Sequence, residues 1–129
     1  MPLSAADLVA DARQRITESS PAEVAAGLPG DAVLVDVREP AEFETGHLPG
    51  AINIPRGVLE FQVAAHPAVA CATDPALAIH DRPIVLYCLT GGRAALAADN
   101  LQRMGFGQVR SLAGGITAWR EAGHPVTTR

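Results

Sequence analysis

Apolar and polar positions follow two different rhythms along this chain. Ala32-Val33-Leu34-Val35-Asp36-Val37 and Ile84-Val85-Leu86-Tyr87 are short, nearly unbroken apolar runs, as expected of strands buried on both faces. Ala51-Ile52-Asn53-Ile54 and residues 109–112 give two weaker strands. Between these runs, apolar residues recur every three or four positions. Leu8, Val9, Ala12 and Ile16 do so within 5–16, and Ala94, Ala95, Leu96, Ala98 and Leu101 do so within 92–104, where Gly105 stops the pattern. Ser20-Pro21-Ala22-Glu23 opens a further helix, with a capping serine, proline in the first turn and glutamate at the capping-box position. A last helix falls near 116–122. Residues 55–83 are weakly patterned: Val58, Leu59 and Val63 are helically spaced, and the rest reads as an Ala- and Pro-rich loop. Strands alternating with helices predict an α/β domain with a largely parallel sheet. No internal repeat, linker or second domain is visible.

Composition narrows the class. At 129 residues the chain fits one core. Its 48% hydrophobic content is enough to fill that core, and no polar tract points to disorder. The formal net charge of −4 argues against nucleic acid or an anionic membrane as partner, since both select basic surfaces. The first twenty residues carry Asp7, Asp11, Arg13, Arg15 and Glu18, so they read as neither export signal nor membrane span. Cys71 and Cys88 form no disulfide framework and lack zinc-site spacing. A reducing cytoplasm is the expected setting.

The segment that carries chemistry is Tyr87-Cys88-Leu89-Thr90-Gly91-Gly92-Arg93, where a buried strand runs into a helix. In open α/β sheets, ligands bind beyond the carboxyl ends of the strands. Paired glycines let successive N–H groups converge on one point, and the helix start adds its positive dipole end. Arg93 adds a full charge with fixed donors. Cys88, at the floor of this cradle, is expected to act as a thiolate nucleophile whose bound sulfur is met by the same donors. Thr90 is equally suited to touch substrate or to cap the helix.

These residues belong to a wider pattern. Val35-Asp36-Val37-Arg38-Glu39 runs on to Glu42-Phe43 and then to Gly46-His47-Leu48-Pro49-Gly50-Ala51-Ile52-Asn53-Ile54-Pro55. The Cys88 loop follows, then Leu112-Ala113-Gly114-Gly115-Ile116 with Trp119, Gly123 and Pro125. In their order and spacing, from about residue 20 to 125, these motifs resemble the rhodanese homology domain. The resemblance implies a three-layer fold, a small mostly parallel sheet with helices on both faces. It would comprise residues 20–129, with 1–19 as a helical extension packed on it. It also implies sulfur transfer: a sulfane sulfur passes from thiosulfate or another persulfide donor to Cys88, then to cyanide or a thiol, which a partner protein could supply. In that reading Leu89, Thr90, Gly91, Gly92 and Arg93 form the persulfide-binding loop, and Asp36 with Arg38 is a charged pair steadying it. No metal or organic cofactor is implied.

Related phosphatases and arsenate reductases on this fold use a loop one residue longer, so the six-residue ring from Cys88 to Arg93 favours sulfur over a phosphate-like oxyanion. Many thiosulfate-using relatives carry basic residues just after the cysteine, whereas this chain has Leu89 and Thr90. A donor other than thiosulfate, or a sulfur-relay or regulatory protein-binding module with little small-molecule turnover, is the alternative. A non-catalytic module is disfavoured by the intact Cys88 and Arg93.

The remaining candidates have ordinary readings. Glu39 and Glu42 suit a solvated helix start, His47 a structural turn, and Trp119 the core beneath the last helix. His66, His80 and His124 default to the surface. Cys71 is expected to be an incidental thiol rather than a resolving partner for Cys88.

Overall fold

A computed structural model describes residues 2–63 and 82–129. The chain opens with helix α1 (Ala5–Arg13), edge strand β1 (Thr17–Ser19) and helix α2 (Pro21–Ala25). Strand β2 (Val33–Asp36), helix α3 (Pro40–Glu44) and strand β3 (Ile52–Asn53) follow. A 3-10 turn (Arg56–Val58) leads into helix α4 (Leu59–Gln62). Beyond it come β4 (Ile84–Tyr87), the long helix α5 (Gly92–Arg103), β5 (Val109–Leu112) and α6 (Gly115–Glu121). All strand pairs are parallel, in the order β1-β5-β4-β2-β3. The α/β class and parallel sheet expected from the sequence are what the molecule has.

Local chemistry sets the element boundaries. Ser4 and Asp7 close a capping box at the start of α1, and Ser20 with Glu23 does the same for α2, as its sequence predicted. Helix α1 stops at Arg13, short of the expected 5–16, and Ile16 turns into the core. The next three residues pair with β5 as an edge strand that the sequence did not reveal. Two of them are exposed, so no apolar alternation marks them.

The sheet divides the core in two. On one face Val33, Val35, Ile84, Leu86 and Cys88 pack against Ala94, Ala97, Ala98 and Leu101 of α5. Small alanines let that helix lie close to the strands. On the other face Val85, Tyr87 and Leu112 meet Val24, Leu48, Ile116 and Trp119. Trp119 is thus core, as read from the sequence, and its Nε1–H donates to Pro125 O at 2.7 Å. Strand β4 lies at the sheet centre with all four residues fully buried. On the α5 side, α1 packs outside that helix, held where Arg15 grips Asp99 through two hydrogen bonds of 2.9 and 2.7 Å. No helix among the described residues is long and apolar enough to cross a membrane.

Candidate active site

Strand β4 ends at Tyr87, and the next residue, Cys88, is 1% exposed. The chain then turns through Leu89, Thr90 and Gly91 before α5 begins. Gly91 has φ +118, a conformation that disfavours any side chain, and it serves as the helix N-cap. This turn aims two backbone donors at the thiol. The Gly91 N–H donates to Cys88 Sγ at 3.1 Å and the Ala94 N–H at 3.4 Å. A sulfur bearing negative charge is therefore met by fixed N–H dipoles at a helix N-terminus.

The back of the loop rests on the start of α6. The N–H groups of Ile116 and Thr117 donate to the carbonyls of Cys88 and Leu89 at 2.9 and 3.1 Å. Gly115 has φ +61, and a Cβ there would lie 2.5 Å from both of those carbonyl oxygens. This gives a physical reason for the Gly114-Gly115 motif, whose role the sequence did not disclose. Gly115→Ala should cost roughly 2–4 kcal/mol, combining left-handed backbone strain with overpacking, and should displace the loop. Gly57→Ala, at a position with open space around it, is the matched control. Denaturant titration of both variants checks this.

Arg93 does not leave its charge to the sulfur. Its Nη1 and Nη2 donate to Glu42 Oε1 and Oε2 at 2.9 and 3.2 Å. Glu42 stands in the first turn of α3, the helix start read from the sequence, and is in addition the counter-ion of the loop arginine. It also accepts from the Glu39 N–H at 3.2 Å. Hydrogen bonding from Arg93 holds the Glu42 carboxyl below the usual carboxylate range, and Glu42 in turn raises Arg93. With the folded value depressed, the stabilisation is fully present above the ordinary carboxylate range and disappears as pH falls through the folded value. Glu42→Gln should thus lower stability at neutral pH by up to about 1 kcal/mol, the pair being partly exposed. The variant and native curves should converge on the acid limb of a pH–stability profile.

Asp36 and Arg38 form a buried pair, their side chains 0% and 4% exposed. Arg38 Nε and Nη2 donate to the Asp36 carboxylate, the shortest contact being 2.7 Å, and Nη2 also donates to Gly46 O at 2.7 Å. Burial opposes the arginine's charge, but the Asp36 hydrogen bonds prevail and hold its pKa above the ordinary value. The pair meets Tyr87, the residue before Cys88: the guanidinium carbon lies 5.9 Å from the ring centroid. Burial, with Asp36 adding to it, pushes the Tyr87 phenol up. The Val37 N–H donates to Tyr87 O at 2.9 Å, tying the end of β2 to the end of β4.

Thr90 is exposed at the mouth of the site and makes no side-chain cap bond, because Gly91 takes the N-cap place. His47 is buried and stacked on Phe43 at 3.7 Å. Its ring nitrogens lie 2.9 and 2.8 Å from the carbonyl oxygens of Phe43 and Arg129. His124 is half-buried against Trp119 rather than free at the surface. Cys71, His66 and His80 lie outside the described residues.

A family model for rhodanese-like domains matches residues 20–122. A sulfurtransferase of Allochromatium vinosum is 34% identical over 96 residues, spanning 74% of this chain and 78% of that protein. Among solved structures, a Rhodopseudomonas palustris protein described as of unknown function, a possible tyrosine phosphatase, is similar with a TM-score of 0.79. Its sequence identity is 33%, with 98% of this chain and 99% of that one covered. The polysulfide-sulfur transferase homodimer of Wolinella succinogenes gives a TM-score of 0.72 at 29% identity, covering 95% and 85% of the two chains. With the family match over most of its length and a cysteine loop of this geometry, the chain belongs to the rhodanese-like domain family.

Proposed function

We propose that this protein is a sulfurtransferase that carries a sulfane sulfur as a persulfide on Cys88. The observation that supports this most strongly is the pair of N–H donors aimed at Sγ from Gly91 and Ala94. They favour the attacking thiolate and then the persulfide formed on it. With thiosulfate, the thiolate attacks the outer sulfur, an S–S bond to Cys88 forms, and the bond to the sulfonate sulfur breaks with its electron pair leaving on sulfite. Cyanide or a thiol, free or on a partner protein, then takes the outer sulfur and returns the thiolate. Leu89, Thr90, Gly91, Gly92 and Arg93 form the binding loop, and Asp36 with Arg38 steadies it by holding Tyr87.

The six-residue ring from Cys88 to Arg93 supports this reading over phosphatase chemistry. So does the Arg93–Glu42 pair, which leaves the arginine's charge already matched. The test is intact mass after excess sulfur donor, followed by cyanide. A gain of one sulfur atom, lost with cyanide and absent in Cys88→Ser, is the expected result. Failure of every small persulfide donor to load Cys88 would sink the proposal.

A further inference from the structure

The thiol opens into a cleft of about 310 Å³ whose walls are not drawn from the family-matched residues alone. Ala5 and Val9 of α1 line it opposite Leu89 and Leu96, with Cys88 at its floor. The two α1 residues are four apart and so share one helix face. Val9 Cγ2 lies 3.6 Å from where a Cβ on Gly92 would stand, which puts α1 directly against the loop–helix junction. The burial of Ala12 and the Arg15–Asp99 hydrogen bonds fix the helix in that position.

The charge in this cleft is already spoken for. Arg93 lines it, but both its terminal nitrogens are engaged by Glu42. Arg13, the next arginine along α1, reaches the Gly91–Gly114 side of the loop and does not line the cleft. A dianion entering here would shed water against apolar walls, and among the described residues lining the cleft the one cation, Arg93, is already matched by Glu42. A donor with one apolar end would gain from the same walls.

We propose that α1 is part of the donor site, and that Ala5 and Val9 select a small organic hydropersulfide, R–S–SH with an apolar R group, over thiosulfate. In the reaction the Cys88 thiolate attacks the terminal sulfur. A Cys88 S–S bond forms, the R–S to SH bond breaks, and its electron pair leaves with R–S⁻ while the proton stays on the transferred sulfur. The inference rests on Cys88 being the sulfur carrier.

The test compares kcat/KM for persulfide formation on the full chain with benzyl hydropersulfide and with thiosulfate, each divided by its rate with free cysteine. The native protein should favour the benzyl donor by at least about tenfold, the discrimination a hydrophobic pocket commonly supplies. Val9→Arg should shift that ratio toward thiosulfate by a similar factor. Ala5→Arg, in the exposed first turn, should shift it the same way without burdening the fold. A native preference for thiosulfate, or a ratio unmoved by both variants, would overturn the α1 assignment while leaving sulfur transfer standing. Loading of Cys88 by neither of these donors, nor by any other small persulfide, would remove both readings together.

Discussion

Cys88→Ser is expected to reduce sulfur transfer to background, a loss of at least about 10³-fold in kcat/KM, with the fold intact. The serine hydroxyl replaces the thiol and can accept from the Gly91 N–H, and the buried end of β4 sees only a small change in volume. A hydroxyl at this place is a far poorer nucleophile than a thiolate and holds no sulfane sulfur. Rates with a sulfur donor and cyanide, together with a denaturation curve, separate the two effects. Turnover above a few per cent of native would show that another group carries the sulfur.

The largest loss of stability should come from Asp36→Ala. Asp36 has no exposed surface, and removing it leaves the buried Arg38 guanidinium with Gly46 O as its remaining hydrogen-bond partner among the described residues. Breaking one side of a buried pair costs about 3–5 kcal/mol, because the charge left behind has lost its compensation. For a chain of this size that is a fall in melting temperature on the order of 10–20 °C. Asp36→Ala combined with Arg38→Met should recover much of it, since no buried charge remains. A thermal melt of the single and double variants checks this. A single variant within about 1 kcal/mol of native would show that the pair contributes little.

How far the sequence revealed the molecule depended on whether a signal was local. Strands β2, β4 and β5 and helix α5 show in runs and periods contained within themselves. The cysteine loop shows because its glycines, thiol and arginine fall within six consecutive residues. Strand β1 does not, because three mostly polar residues become a strand only by pairing with β5, more than ninety positions away. The pairing of Glu42 with Arg93 was hidden for the same reason: Glu42 does sit at a helix start, but its partner is 51 residues distant and nothing near it marks a counter-ion. Gly114 and Gly115 were visible as a motif but mute as to cause. Their role lies in carbonyls they approach across space. The apolar wall supplied by Ala5 and Val9 is the furthest from legibility, since a helix surface does not announce which cleft it will close.

The position of Cys88 directly after the central strand has a bearing on how this site fails. Every residue of β4 is fully buried, with neighbours hydrogen-bonded on both sides. Local opening proceeds most easily from edges such as β1 and β3, and least easily from the middle of a sheet. The loop that carries Cys88 thus hangs from the strand expected to be among the last to exchange its amide protons. Fraying confined to β3 would leave the Cys88 loop in place, and heat inactivation of the loop should track global unfolding rather than precede it.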